Sequence, residues 1–329
     1  MVRESRRHPA AVEAVEGAGG GAATAVAAPR PAAARVPLRW REAAVGLLMA
    51  SPPFAVVLLL IALPAIQAAL FTLGIVPQNN VAFSTGMHII ASERPTLEVY
   101  RQLLASPFFR ADVAITAVVT GFSVVLVLVI GYVLSLYVRF SSGWLPNAVR
   151  TLYLLPMFIP VVIASYALIT FYVQRGELQA LLHSVGLGYG EVIYHANGII
   201  IGQVWASIPF AVLMLGSGLD GIPQELIEAA QDVGAGPVRI LWRIVLPLNI
   251  VPALIVATFT FIGVVGSFTI PFLLGPNAPQ MMGVAMNAYF VSYQQPQAAA
   301  AMAVLTFLAC AAAGVIYVWG TSRTGHAAG

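Results

Sequence analysis

Lysine is absent from the 329 residues, so all sixteen basic side chains are arginine. That absence removes the phosphate-binding lysine of a P-loop and the amine of Schiff-base chemistry. Charge of either sign is also scarce. Only 9% of residues are charged, where a soluble globular domain has about a quarter. The single cysteine, Cys310, excludes a disulfide framework and a cysteine metal cluster, and its apolar surroundings suit a small core residue. A net charge of +3, dispersed along the chain, is too small for a nucleic-acid footprint. What is abundant is apolar: 59% of residues are hydrophobic and the mean hydropathy is +0.87. This composition places the chain in a membrane.

Residues 1–42 form an Ala-, Gly-, Pro- and Arg-rich leader, with stretches such as "GAGGGAATAVAAPRPAAARVP", which cannot bury a core and is expected to be disordered. The apolar run that follows is too long for a signal-peptide core and suits an uncleaved spanning helix. Six apolar stretches reach the spanning length of about 20 residues, near 47–72, 112–138, 151–173, 198–218, 249–271 and 298–320. The expected fold class is therefore an all-α integral membrane protein with six transmembrane helices. Its membrane domain covers 43–322 and a short tail covers 323–329. No ionisable group falls at the middle of these spans, and Asp112 sits at a boundary. A charge at mid-bilayer costs about 2.5–3.5 kcal/mol on insertion scales.

With the N-terminus inside, Arg3, Arg6, Arg7, Arg30, Arg35, Arg39, Arg41, Arg139, Arg150, Arg239, Arg243 and Arg323 lie on the cytoplasmic side. Arg94, Arg101, Arg110 and Arg175 lie outside. The excess of arginine predicts that both termini are cytoplasmic. On this topology the longest interior cytoplasmic loop, 219–247, is also the most polar. Pro223 suits a helix start, Glu225 and Glu228 suit the positive end of its dipole, and Gly234 fits a left-handed closing residue. Pro237 then opens a second helix leading into span five. The first helix is expected to show Leu226, Ala229, Ala230 and Val233 on one side and Glu225, Glu228 and Asp232 on another. Interfacial helices favour Lys and Arg on the polar side, so docking into a partner protein explains these acids better than lying on lipid.

The spacing Glu228-Ala229-Ala230, three residues, Gly234, nine residues, Ile244, one residue, Leu246-Pro247 resembles the EAA loop of ABC-importer permeases. The stretches "TLEVYRQLLASPFFRADVAITAVV" (96–119), "LYLLPMFIPVVIASYALITFY" (152–172) and "FTFIGVVGSFTIPFLLGP" (259–276) are similar to the spermidine/putrescine-type branch. The resemblance, over about 43–320, implies the type I importer permease fold and a bacterial inner-membrane location. It implies that Glu228, Ala229, Ala230, Gly234, Ile244, Leu246 and Pro247 couple the permease to an ATPase subunit. The implied partners are two ABC ATPase subunits, a second permease chain (identical or paralogous) and an extracytoplasmic substrate-binding protein. ATP and Mg would be bound by the ATPase partners, leaving no cofactor and no catalytic site in this chain.

The implied cargo is a small polar solute, polyamine-like by the branch, with ferric ion or phosphonate as alternatives. Ser267 and Ala164 depart from the branch, whose members often carry an acid and an arginine there. Ser165, Tyr166, Thr170, Gln203, Ser207, Ser267 and Thr269 are candidates for lining a pathway, with helix packing and interhelical hydrogen bonding as the competing explanation. Pro156, Pro160, Pro209 and Pro271 are expected to kink spans. The segment 275–297 reads either as a re-entrant or surface helix touching solute or binding protein, or as an interfacial structural helix. An ion-coupled transporter would place ionisable groups in its spans, and an intramembrane enzyme would bury a Ser–His, Asp pair or metal cluster. Neither pattern is present, and neither explains the loop spacing.

Overall fold

In the computed structural model, residues 40–76, 86–87 and 89–325 are described. The leader through residue 39 and the last four residues lie outside the described residues. So do six of the seven leader arginines. Two units are distinguished, residues 1–57 and residues 58–329.

In the first unit, helix α1 (Trp40–Val57) carries Pro52 and Pro53 inside it. In the second, a π-helical turn (Leu58–Ala62) precedes α2 (Leu63–Thr72). Then come α3 (Glu98–Ala105), α4 (Pro107–Phe140) and α5 (Trp144–Leu152). A 3-10 turn (Leu155–Phe158) leads to α6 (Val161–Tyr172) and α7 (Glu177–Ser184). Helices α8 (Ala196–Asp220), α9 (Gln224–Asp232) and α10 (Pro237–Ile240) follow. A π turn (Leu241–Val245) joins α10 to α11 (Leu246–Leu248), which meets α12 (Ile250–Val265). Finally α13 (Thr269–Leu274), α14 (Met282–Asn287) and α15 (Pro296–Gly325) complete the chain. No strand occurs among the described residues.

Four stretches are long and apolar enough to cross a membrane: Val45–Thr72, Pro107–Phe140, Ala196–Asp220 and Pro296–Ser322. Two bent pairs raise the number to six if each counts as one span. The third expected span, 151–173, is one of these: Trp144–Phe158 and Val161–Ser184 meet at 110°. Pro156 and Pro160 explain the break, because each lacks an N–H and Pro160 sits in an extended conformation (ψ 132°) immediately before α6. At 12 residues, α6 is about 18 Å long, short of the roughly 30 Å hydrocarbon core. The fifth expected span is bent by 67° between Leu248 and Ile250 and stops at Val265, with α13 as a separate piece. By contrast, α8 continues helically through Pro209.

Helices α4 and α8 form the central pair, and α12 packs against both and against α15. Val119, Ile199, Val264, Ile270 and Leu274 make one apolar cluster. Val127, Ala211, Leu215 and Val256 make a second. Cys310 is half-buried rather than in the core. Helix α15 runs through Gly325, three residues into the expected tail.

Helix α4 begins at Pro107, earlier than the expected 112, because Ser106 accepts a hydrogen bond from the Phe109 N–H and Pro107 occupies the first turn. Asp112 consequently lies inside a candidate span and is buried, 8% exposed. Its Oδ1 accepts the Gln280 N–H at 2.8 Å, and one turn on, Thr116 Oγ1 accepts the Met282 N–H at 3.0 Å. These bonds dock the 275–297 segment onto α4, with Met281, Met282, Val284 and Ala285 buried beneath it.

Candidate functional site

The polar loop between α8 and α12 is built as two short helices around a glycine. Helix α9 closes with Gly234 at φ +79°. The Gly234 N–H donates to Gln231 O at 2.8 Å and the Ala235 N–H to Ala230 O at 2.9 Å. This pair of bonds is a Schellman closure, which needs a left-handed residue at that position and so favours glycine. Pro223 takes the capping position rather than the first helical one, and α9 is nine residues long. Pro237 begins α10 after Gly236 in extended conformation.

The two faces of α9 differ from the expected grouping. Ile227 is buried and Ala230 packs beside it in a cluster with Leu219, Ile222, Ile240 and Val245. Ala230 therefore faces the protein, three residues from Ile227 on the same helix side. Leu226, Ala229 and Val233 form the outer stripe, Val233 being 84% exposed. Glu228 and Gly234 are exposed with them, as are Val238 and Trp242 on the following turns. A shallow open depression runs from Gly234 past Pro237 and Val238 to Trp242. Of the other coupling candidates, Ile244 is packed against the buried cluster, Leu246 is partly buried and Pro247 is exposed. The residue-type pattern thus separates into a docking surface and an anchor.

The anchor reaches the spanning helices through two groups. Leu136 of α4 and Leu219 of α8 join the loop cluster. Asn249, at the bend before α12, is fully buried. Its Nδ2 donates to Leu215 O at 3.3 Å, and its own carbonyl accepts from Tyr132 Oη at 3.4 Å. A Cβ on Gly218 would lie 1.9 Å from Asn249 Oδ1, so only glycine lets α8 approach this closely. Asn249 and Gly218 escaped the sequence reading because their relation exists only across helices.

The pathway candidates divide. Ser165 is buried, and its Oγ donates to Val161 O within its own helix at 2.8 Å. Thr170 likewise donates to Tyr166 O at 2.7 Å, and Tyr166 is exposed. Ser207, Ser267 and Thr269 are half-buried. Gln203 is buried with Nε2 unpartnered, and so are Thr120, Ser123 and Thr260 through their hydroxyls. Along α4 the buried order is Val119, Ser123, Val127; along α12 it is Val264, Thr260, Val256; along α8 it is Ile199, Gln203, Ala211. Each polar residue lies between the same two apolar clusters. A polar layer thus interrupts the core at one level, and of its members sequence reasoning found only Gln203.

At the opposite end of α4 from the polar loop, a cavity of about 580 Å³ is lined by Phe108, Asp112, Asn277, Tyr289, Tyr293 and Gln295, with no basic side chain. Tyr289 and Tyr293 meet edge to face at 5.4 Å. Burial pushes the Tyr289 hydroxyl above the usual tyrosine range. It therefore stays protonated at neutral pH and keeps an O–H to donate. Gln297, also buried, ties the start of α15 to α2 by donating to Phe71 O at 2.9 Å and to Ile90 O at 2.8 Å.

Comparison with known proteins bears on residues 127–325, which match the family described as "binding-protein-dependent transport system inner membrane component". The trehalose transport system permease protein SugA of Mycobacterium tuberculosis is 33% identical over 160 residues, 48% of this chain and 51% of SugA. The match therefore spans about half the length of that relative. The spermidine/putrescine transport system permease protein PotB of Haemophilus influenzae is 25% identical over 216 residues, 65% of this chain and 75% of PotB. Among solved structures, a bacterial ABC transporter involved in the import of the acidic polysaccharide alginate superposes with a TM-score of 0.68. It is 18% identical, over 87% of this chain and 98% of that one, a likeness of fold.

Proposed function

The chain belongs to the family of binding-protein-dependent transport system inner membrane components, and we propose that it is the permease subunit of an ATP-driven importer. In this reading the loop 219–247 seats against an ATPase subunit in the cytoplasm. Both termini lie on that side, and the chain pairs with a second permease of the same or related sequence. A solute-loaded binding protein docks on the other face. Each coupling helix carries the partner's ATP-driven closure into the membrane helices, giving alternating access. Hydrolysis belongs to the partner.

The observation that carries this proposal is the division of the loop into an exposed surface and a buried anchor. Glu228, Ala229, Val233 and Gly234 face outward, while Ile227, Ala230 and Ile240 join the ends of α4 and α8. A push on the outer stripe therefore reaches two spanning helices through close-packed apolar contacts, and packed interiors transmit displacement rather than absorb it.

The cargo is a small polar solute. Named cargoes of the relatives span a disaccharide and polyamines, so they do not choose among classes. The outer cavity favours a cationic, polyamine-like solute, because it offers the Asp112 carboxylate and two tyrosine rings with no competing basic group. Ferric ion and phosphonate are the alternatives within the same machine. Ligand screening of the cognate binding protein identifies the solute directly.

The test of the coupling role uses the reconstituted complex. Glu228→Arg reverses charge on the docking face, and Gly234→Pro removes an N–H donor and forbids φ +79°. Both variants are expected to assemble into the membrane and to lose solute uptake and the stimulation of ATP hydrolysis together. Survival of both activities would overturn the assignment.

A further inference from the structure

At the loop-proximal ends of α4, α5 and α8 lies a cavity of about 390 Å³ that the transport reading does not use. Its charged lining is Arg139, Arg150 and Asp220, which leaves one net positive charge. Arg139 meets Asp220 at 3.6 Å, with the Asp220 side chain 70% exposed. An exposed pair at that distance is weak and leaves most of the Arg139 donors available. The Arg150 guanidinium, in the last turn of α5, has no ion-pair or hydrogen-bond partner among the described residues. Tyr153 and Ser217 add hydroxyl groups to the wall. At Gly216 an added Cβ would meet nothing within 4 Å, so the missing side chain leaves the cavity open there.

We propose that this cavity binds a singly charged phosphodiester, supplied by the headgroup of an anionic membrane lipid. Two guanidinium forks match the two unesterified oxygens of such a group, which guanidinium binds in bidentate fashion. The net charge of the cavity is equal and opposite to that of the phosphodiester. The depth is right for a headgroup. Trp144 and Phe140 are exposed beside the cavity (80% and 53%), and aromatic side chains collect at the membrane interface. Leu213 lines the cavity and Phe210 lies one turn further along α8, both exposed, giving an acyl chain an apolar track. Basic pockets between spanning helices on the cytoplasmic side hold anionic headgroups by this chemistry. Leu136 and Leu219, which adjoin the cavity in sequence, belong to the loop cluster. A bound headgroup would thus tie together the helix ends that carry the coupling loop.

The test titrates the purified full chain in mild detergent with dioleoylphosphatidylglycerol and with zwitterionic dioleoylphosphatidylcholine, read by native mass spectrometry. The anionic lipid is expected to bind selectively. Arg139→Gln/Arg150→Gln should weaken it roughly tenfold, the loss of about one charge-assisted contact, and leave the zwitterionic lipid unchanged. Gly216→Leu, which grows into open space and keeps both arginines, should weaken it comparably. Arg150→Gln alone removes an exposed, unpaired side chain and guards against misfolding as the explanation. A second arm titrates inorganic phosphate by calorimetry. Binding there that the double variant abolishes, with no lipid selectivity, would keep the anion site and overturn the lipid as its source. Loss of neither lipid nor phosphate binding in any variant overturns the proposal.

Discussion

Gly218 has no side chain where Asn249 occupies the space, and the consequence is a steric prediction. Gly218→Ala should clash with Asn249 Oδ1 and with Pro252, although alanine is the better helix former. Overpacking of this kind costs about 1–3 kcal/mol and should lower the thermal midpoint of the detergent-solubilised chain. An unchanged midpoint would mean that Asn249 moves aside freely. At the same scale, Gly234 was legible in the sequence because helix closure is local chemistry. Asp112 was half legible. Its position near a span was plain, but its burial follows from the Ser106 cap that starts α4 early and from the Gln280 N–H it receives.

At the scale of the element, α9 separates stability from coupling. Ile227 is 5% exposed in the loop cluster, so Ile227→Ala should cost about 2–5 kcal/mol. Leu226, 47% exposed, should cost little when replaced by alanine. If it lies in the docking face, Leu226→Ala should instead weaken association with the ATPase subunit, measured by co-purification. The opposite ranking would place the wrong face of α9 outward. Apolar periodicity alone could not separate the two faces, because Leu226, Ile227, Ala229, Ala230 and Val233 spread around much of the helix. Only the contact with Leu219 and Ile240 selects Ile227 and Ala230. The bent third span was equally hidden. Pro156 and Pro160 announced a kink, as Pro209 did, yet α8 stays continuous through Pro209 while the third span turns by 110°.

Across the whole molecule, the topology can be checked from the one native thiol. With Cys310 replaced by alanine, a cysteine at Val233 should react with a membrane-impermeant maleimide only from the cytoplasmic side. One at Tyr194, 47% exposed, should react only from outside. The reverse pattern would invert the orientation drawn from the arginines. The sequence by itself determined the membrane class, the approximate positions of the apolar segments, the helix–glycine–helix loop and the family resemblance, which residues 127–325 bear out. Those properties are written in composition, in spacing along one chain segment and in backbone chemistry that acts within a few residues. Tertiary structure alone decided which side of α9 is anchored, where Thr120, Ser123, Gln203 and Thr260 form a common polar layer, and that Arg139, Arg150 and Asp220 share one cavity. Each depends on which helices pack together and at what height, a relation between distant segments that no local pattern specifies.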